Sequence, residues 1–313
     1  MHGPSPHPNV VVRFAGWDGM KLLDACIVPA LRHGSTRTLR VIIDDAILHR
    51  TLHIDNPHST IFHAWGYAIT SLHVDRILTH NLAFDAIGLF HALATMPSLV
   101  ELSIQVNRLE HLAPVKETPN ISFHLARLDL RPVFRGWPRL IARSAGTLRE
   151  LALHGVQVPP LEYGTFLTSD ESQAYSASLR SVTHLRLSNC FDPAIVRACP
   201  TLRTLYLNSY QHPSRPGSRL NGPVTCLDIA PRTLQHLVLA MDPWPTDLRL
   251  TNVFDLLASR PSVVAGLRSV TVQRSREWQL LFQELLDNGE EGREARDVLQ
   301  TFCLEHRILF SLD

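Results

Sequence analysis

Apolar and polar positions along this chain fall into short bursts that share one frame, L-x-x-L-x-L. The frame is filled by ITSLHV (69–74), LVELSI (99–104), LARLDL (125–130), LRELAL (148–153), VTHLRL (182–187), LRTLYL (202–207), LQHLVL (234–239) and LRSVTV (267–272). Side chains of a strand alternate between two faces, so the last two apolar positions of each frame point to one side and the residues around them to the other. Each frame therefore predicts a short strand with one buried face. A ninth match, VTCLDI (224–229), begins only 10 residues before LQHLVL, too close for a full repeat, and is read as an inserted strand or short hairpin. TLRVIIDD (38–45) and RTLHID (50–55) are strand-like but fit the frame poorly.

Between the frames the period changes. NLAFDAIGLFHALATMP (81–97) carries apolar residues at 82, 84, 87, 89, 90 and 93, a helical spacing, with Asn81 before it and Pro97 closing it. NCFDPAIVRACP (189–200) predicts a shorter helix, with Asp192 as N-cap, Pro193 at the first helical position and Pro200 after the end. Strand, loop, helix and return loop then make one unit, which buries its apolar face only by stacking on its neighbours. Frame starts lie 20 to 34 residues apart, close to the roughly 20 to 29 of leucine-rich repeats. The expected fold is an α/β leucine-rich-repeat solenoid, a curved horseshoe with parallel strands on its concave face, helices on its convex face and a helical C-terminal cap. Residues 1–68 are expected to form an irregular N-terminal capping segment, 69–274 the solenoid and 275–313 the cap, beginning with the amphipathic SREWQLLFQELLDNG (275–289). The segments 156–178 and 208–225, rich in Pro, Ser, Gly and Asn, are expected to be loops.

The phrases CPTLRTLYL (199–207) and MPSLVELSI (96–104), with the ending VLQTFCLEHRILFSL, resemble the leucine-rich-repeat regions of fungal F-box proteins over roughly residues 69–310. That resemblance implies a protein-binding, non-enzymatic module: the substrate-recognition part of a cullin-type ubiquitin ligase, with the solenoid holding the target and an N-terminal F-box holding the ligase scaffold. Residues 1–36 contain no Leu-Pro-x-Glu start, so an intact F-box is not expected there. A free-standing recognition solenoid, or a scaffold or GTPase-regulating horseshoe unrelated to ubiquitin, are the alternatives. An enzyme with a site in the long loops is a third reading with no motif behind it.

Composition narrows the picture. The 313 residues are 45% hydrophobic and 19% charged, with mean hydropathy 0.00, a globular composition. Thirty Lys and Arg against 29 Asp and Glu leave a net charge of +1, so neither nucleic acid nor an anionic membrane is an expected partner. The charge is uneven: nine acidic residues against four arginines from Arg276 onward give −5 there and +6 elsewhere. Five widely spaced cysteines without a C-x-x-C suggest neither disulfides nor a zinc site, and a reducing cytoplasm or nucleus is the expected location. The longest apolar stretch, interrupted by Asp85, is too short to span a bilayer.

No phosphate-binding glycine loop, H-E-x-x-H or G-x-S-x-G is present, and the closest-spaced of the 17 histidines, His49 and His53, would share a face only on a helix, in a stretch that reads as strand. No cofactor or metal is expected. The candidate site is the outward row of the strands. Arg127, Arg131, His154, His184 and Arg186 make a basic central stripe whose guanidinium forks suit an acidic or phosphorylated peptide. The other possibility is that Asp129 and Glu150 neutralise these arginines. Tyr206 and Asn208 complete the candidate set, with Tyr206 the expected anchor.

Overall fold

The computed structural model describes residues 10–14, 39–44, 67, 69–77, 90, 93–106, 120–134, 136–155, 169–209, 222–241, 250–274 and 290–312. They belong to two compact units, residues 1–148 with 161–178, and residues 149–160 with 179–313.

In the first unit β1 (Val10–Phe14), β2 (Leu39–Asp44), β3 (Ile69–Ile77), β4 (Glu101–Val106) and β5 (Arg127–Arg131) pair in chain order, each parallel to the next. Register places Leu72 beside Leu102 and Leu102 beside Leu128, and all three are buried. Phe90, Leu93, Met96, Phe123, Phe134 and Trp137 fill the space behind them. The Phe90 and Phe134 rings meet edge to face with centroids 6.3 Å apart, and Trp137 meets Tyr175 in the same way at 5.5 Å. Tyr175 lies on α1 (Ser169–Leu179), all but the last residue of which belongs to this unit.

The second unit repeats the arrangement more regularly. β6 (Glu150–His154), β7 (His184–Ser188), β8 (Thr204–Ser209), β9 (His236–Met241), β10 (Ser269–Arg274) and β11 (Leu309–Leu312) pair in order and in parallel. Parallel neighbours need a long crossover. Here α2 (Pro193–Arg197), α3 (Gly222–Asp228), α4 (Leu250–Ala258) with α5 (Pro261–Val264), and α6 (Glu290–Glu305) supply it. Asp192 caps α2 by accepting from the Ala194 N–H at 2.8 Å, with Pro193 in the first turn, as the sequence predicts. On α4 and α6, Phe254 and Phe302 meet edge to face at 5.4 Å.

A second ladder ties the turns together. Thr147, Thr201 and Thr233 each precede the first apolar residue of a frame, and each hydroxyl donates to the carbonyl of the equivalent residue one repeat earlier: Leu125 at 3.0 Å, Val182 at 3.1 Å and Leu202 at 2.8 Å. Gly266 holds the equivalent place before Leu267. A Cβ there would lie 2.6 Å from the Arg232 carbonyl oxygen and 3.2 Å from that of Leu234, so at this turn the backbone approaches too closely for any side chain.

All eight frames are strands, and TLRVIIDD contains β2. Four readings need correction. VTCLDI is not a strand: it lies in α3 and the turn after it, because Cys226, Leu227 and Ala230 are buried at a helical spacing. The segment 156–178 is not all loop, since α1 begins at Ser169; its buried Ser178 satisfies its hydroxyl on the Ile141 carbonyl at 2.6 Å, a helix anchored by a polar residue. The segment 208–225 likewise becomes α3 at Gly222. The chain's last elements are helix α6 and then strand β11, which extends the sheet instead of leaving it capped by helix. RTLHID and SREWQLLFQELLDNG lie outside the described residues.

Leu205 is fully buried between Leu185 and Leu237; Leu205→Ala is expected to cost about 2–5 kcal/mol. Gly266→Ala is expected to cost about 1–3 kcal/mol through backbone displacement. Urea unfolding checks both, and a Gly266→Ala midpoint equal to wild type removes the close-approach argument.

Candidate functional site

The alternation that sends leucines inward sends three rows outward from the second unit's sheet. Parallel register aligns Glu150 with His184, Thr204, His236 and Ser269; Ala152 with Arg186, Tyr206, Val238 and Thr271; and His154 with Ser188, Asn208, Ala240 and Gln273. The middle row carries the most organised contact. The Arg186 guanidinium lies 3.9 Å from the centroid of the Tyr206 ring, its direct neighbour across β7 and β8. Such a contact contributes about 0.5–2 kcal/mol and holds both half-buried side chains in one orientation.

Beside the stack are two polar atoms with unmet demands. Arg186 Nε and Ser188 Oγ are shielded from solvent and make no hydrogen bond among the described residues. A shielded polar group without a partner costs about 1–3 kcal/mol, so a ligand that supplied an acceptor here would recover that energy. The flanking rows are quieter. His184 is exposed and shares a 2.9 Å hydrogen bond with the Thr183 hydroxyl; His236 Nδ1 meets Ser269 Oγ at 2.9 Å. His154 and Asn208 are half-buried, and the Asn208 carbonyl accepts the Asn189 N–H at 2.9 Å.

The remaining predicted residues lie in the first unit. Arg127 is exposed at the start of β5, in register with Glu101. Arg131 forms a two-pronged ion pair with Asp129, Nε to Oδ1 and Nη2 to Oδ2 at 3.2 Å each. Its fork is therefore occupied within its own strand. Glu101 accepts from Ser71 Oγ at 3.1 Å. On this face basic groups have acidic neighbours, whereas Arg186 leans on an aromatic ring. Ser188 is the residue that sequence reading passed over, since a small polar side chain in a strand gives no signal until its burial is known.

The described cysteines belong to the packing. Cys199, Cys226 and Cys303 are fully buried, and burial pushes the thiols of Cys199 and Cys226 up to about 12 and that of Cys303 up to about 11. Burial also raises the Asp192 carboxyl, against the opposing pull of the Ala194 N–H. Among the described residues no group of three or more His, Cys, Asp or Glu could hold a metal ion, and no helix is long and apolar enough to cross a membrane. No protein-family model matches the chain, and comparison with curated proteins returns no match.

Raised thiol values carry a sign. An unfolded cysteine ionises near its ordinary 9.0, the folded Cys199 and Cys226 only near 12, so their contribution is complete below pH 9 and fades as pH climbs from 9 toward 12. Stability by urea unfolding is expected to fall between pH 9 and pH 11 and to fall less in Cys199→Ala/Cys226→Ala; equal slopes in the two proteins refute the assignment.

Proposed function

We propose that the chain is a protein-recognition module of leucine-rich-repeat type that engages its partner on the outward face of the second unit's sheet, in the manner of the substrate-binding part of an F-box-type ubiquitin ligase adaptor. The observation that carries the reading is the Arg186–Tyr206 stack with the unpartnered Arg186 Nε and Ser188 Oγ beside it. An aromatic side chain braced by a cation presents contact area at little entropic cost. The shielded donor beside it favours a partner that brings an acceptor. Parallel strands on a continuous leucine core make the mounting rigid. The reading of a binding module, and not an enzyme, rests on the sequence resemblance and on a face whose polar side chains are spread along rows. The ligase assignment rests on the sequence resemblance.

The test is quantitative co-purification with the tagged full chain, wild type against Arg186→Glu/Tyr206→Ala. Loss of a buried aromatic anchor is expected to weaken partner capture by about 30-fold or more, while cullin-type ligase subunits remain associated. Undiminished capture by the variant removes the face from the interface. Absence of every ligase subunit from the wild-type sample removes the ubiquitin assignment and leaves the recognition module standing.

A further inference from the structure

The turns that lead into the strands of the second unit form a basic edge. The second position of the repeat frame, just before each strand, is Arg149, Thr183, Arg203, Gln235 and Arg268 for β6 to β10. A backbone ladder holds these five residues side by side: the Thr183 N–H donates to the Arg149 carbonyl, and so on through Arg203, Gln235 and Arg268 at 2.7–2.9 Å. Arg149, Arg203 and Arg268 are exposed, as are Arg180 and Arg232 in the preceding turns. Arg149 spends one N–H on the Ser181 carbonyl at 3.1 Å. Arg180, Arg203, Arg232 and Arg268 form no ion pair or hydrogen bond through their side chains among the described residues. The turns 147–149, 179–183, 199–203, 229–235 and 265–268 contain no Asp or Glu; the first acid in sequence is Glu150, inside β6 and in register with His184.

Three of these arginines converge. Arg149, Arg180 and Arg203 line one open groove of about 550 Å³ whose floor carries Thr183, Thr201 and Gln235. The Thr201 hydroxyl is already used on the Arg180 and Val182 carbonyls at 2.7 and 3.1 Å, and the guanidinium forks are the charged donors of the groove. Three cations in a groove whose described lining holds no Asp or Glu repel one another, and one dianionic group among them relieves that repulsion and fills several forks at once. No aromatic ring lines this groove, which disfavours single-stranded nucleic acid, whose bases need stacking surfaces.

The spacing selects the shape of the ligand. Neighbouring strands are about 4.8 Å apart, so arginines on alternate strands recur about every 9.6 Å. A polyproline II chain rises about 9.3 Å in its three-residue turn. We propose that the strand-entry edge of the second unit binds an extended phosphorylated peptide, with a phosphate seated over the entry to β7 between Arg149, Arg180 and Arg203 and a further phosphate three residues along the peptide, two strands away at the entry to β9, between Arg203, Arg232 and Arg268. This surface is distinct from the outward face described above, and its occupancy does not depend on the Arg186–Tyr206 stack.

The probe is a short fluorescein-labelled peptide carrying phosphoserine at every third position, titrated against the full chain by anisotropy at low and physiological salt. Arg149→Ala/Arg180→Ala/Arg203→Ala is expected to weaken binding at least about tenfold. Arg296→Ala, in the middle of α6 and ion-paired with Asp297, is expected to bind as wild type does. The proposal is overturned if the unphosphorylated peptide binds equally well, if the triple variant keeps wild-type affinity while its urea midpoint is unchanged, or if a single-stranded oligonucleotide of equal charge binds more tightly.

Discussion

Everything in this protein depends on leucines that no strand can bury by itself. In the second unit Leu151, Leu185, Leu205, Leu237 and Val270 form one row, and Leu153, Leu187, Leu207, Leu239 and Val272 another, each residue in register with the next and each buried. Taking such a side chain out of water contributes about 1.5–3 kcal/mol, but only once the neighbouring strand has arrived to cover it. The parallel register, the crossover helices and the order of strands follow from that need. A register slip of one residue would turn both inward positions of the slipped strand outward together.

The threonine ladder addresses the cost that stacking creates. Each turn brings carbonyls of one repeat against the next, and buried carbonyls without donors are expensive. Thr147, Thr201 and Thr233 supply the hydroxyls, with two carbonyls served by each. Where the chain comes closer still, at Gly266, no side chain fits, and contact replaces the hydrogen bond. At four of the turns this position thus takes either a threonine or a glycine, according to how closely the backbone approaches.

The strands were readable because their signal is local: two inward leucines at a spacing of two residues, in eight frames. The helix α3 was not, because VTCLDI satisfies the strand frame and the helical period together, and its place between β8 and β9 decides the matter. The helix α1 is SDESQAYSASL, whose inward residues include Tyr175 and Ser178 in place of a leucine stripe. The strand β11 carries no frame and forms because β10 offers an open edge. At the candidate site, the choice of Tyr206 and Arg186 needed only the alternation rule, but their mutual contact needed the register between β7 and β8. Asp129, the residue weighed against the basic stripe, lies two residues from Arg131 on the same side of β5 and occupies its fork. The edge arginines are visible as L-R-x-L at 148 and 202 and as L-R-x-V at 267, yet their alignment depends on the strands that lie between them.

The division of labour within one frame explains how such a scaffold can carry recognition at all. Of the six frame positions, the first, fourth and sixth are committed to the core, and substitution there costs stability directly. The third and fifth face outward and the second lies at the turn, so Thr204, Tyr206 and Arg203 can be exchanged with little effect on the leucine rows beside them. Their positions are nonetheless fixed by those rows, to within the play of a parallel sheet. A surface built this way has variable chemistry on a spacing fixed by the strands, and the ligand proposed for its edge is one whose own repeat matches that spacing.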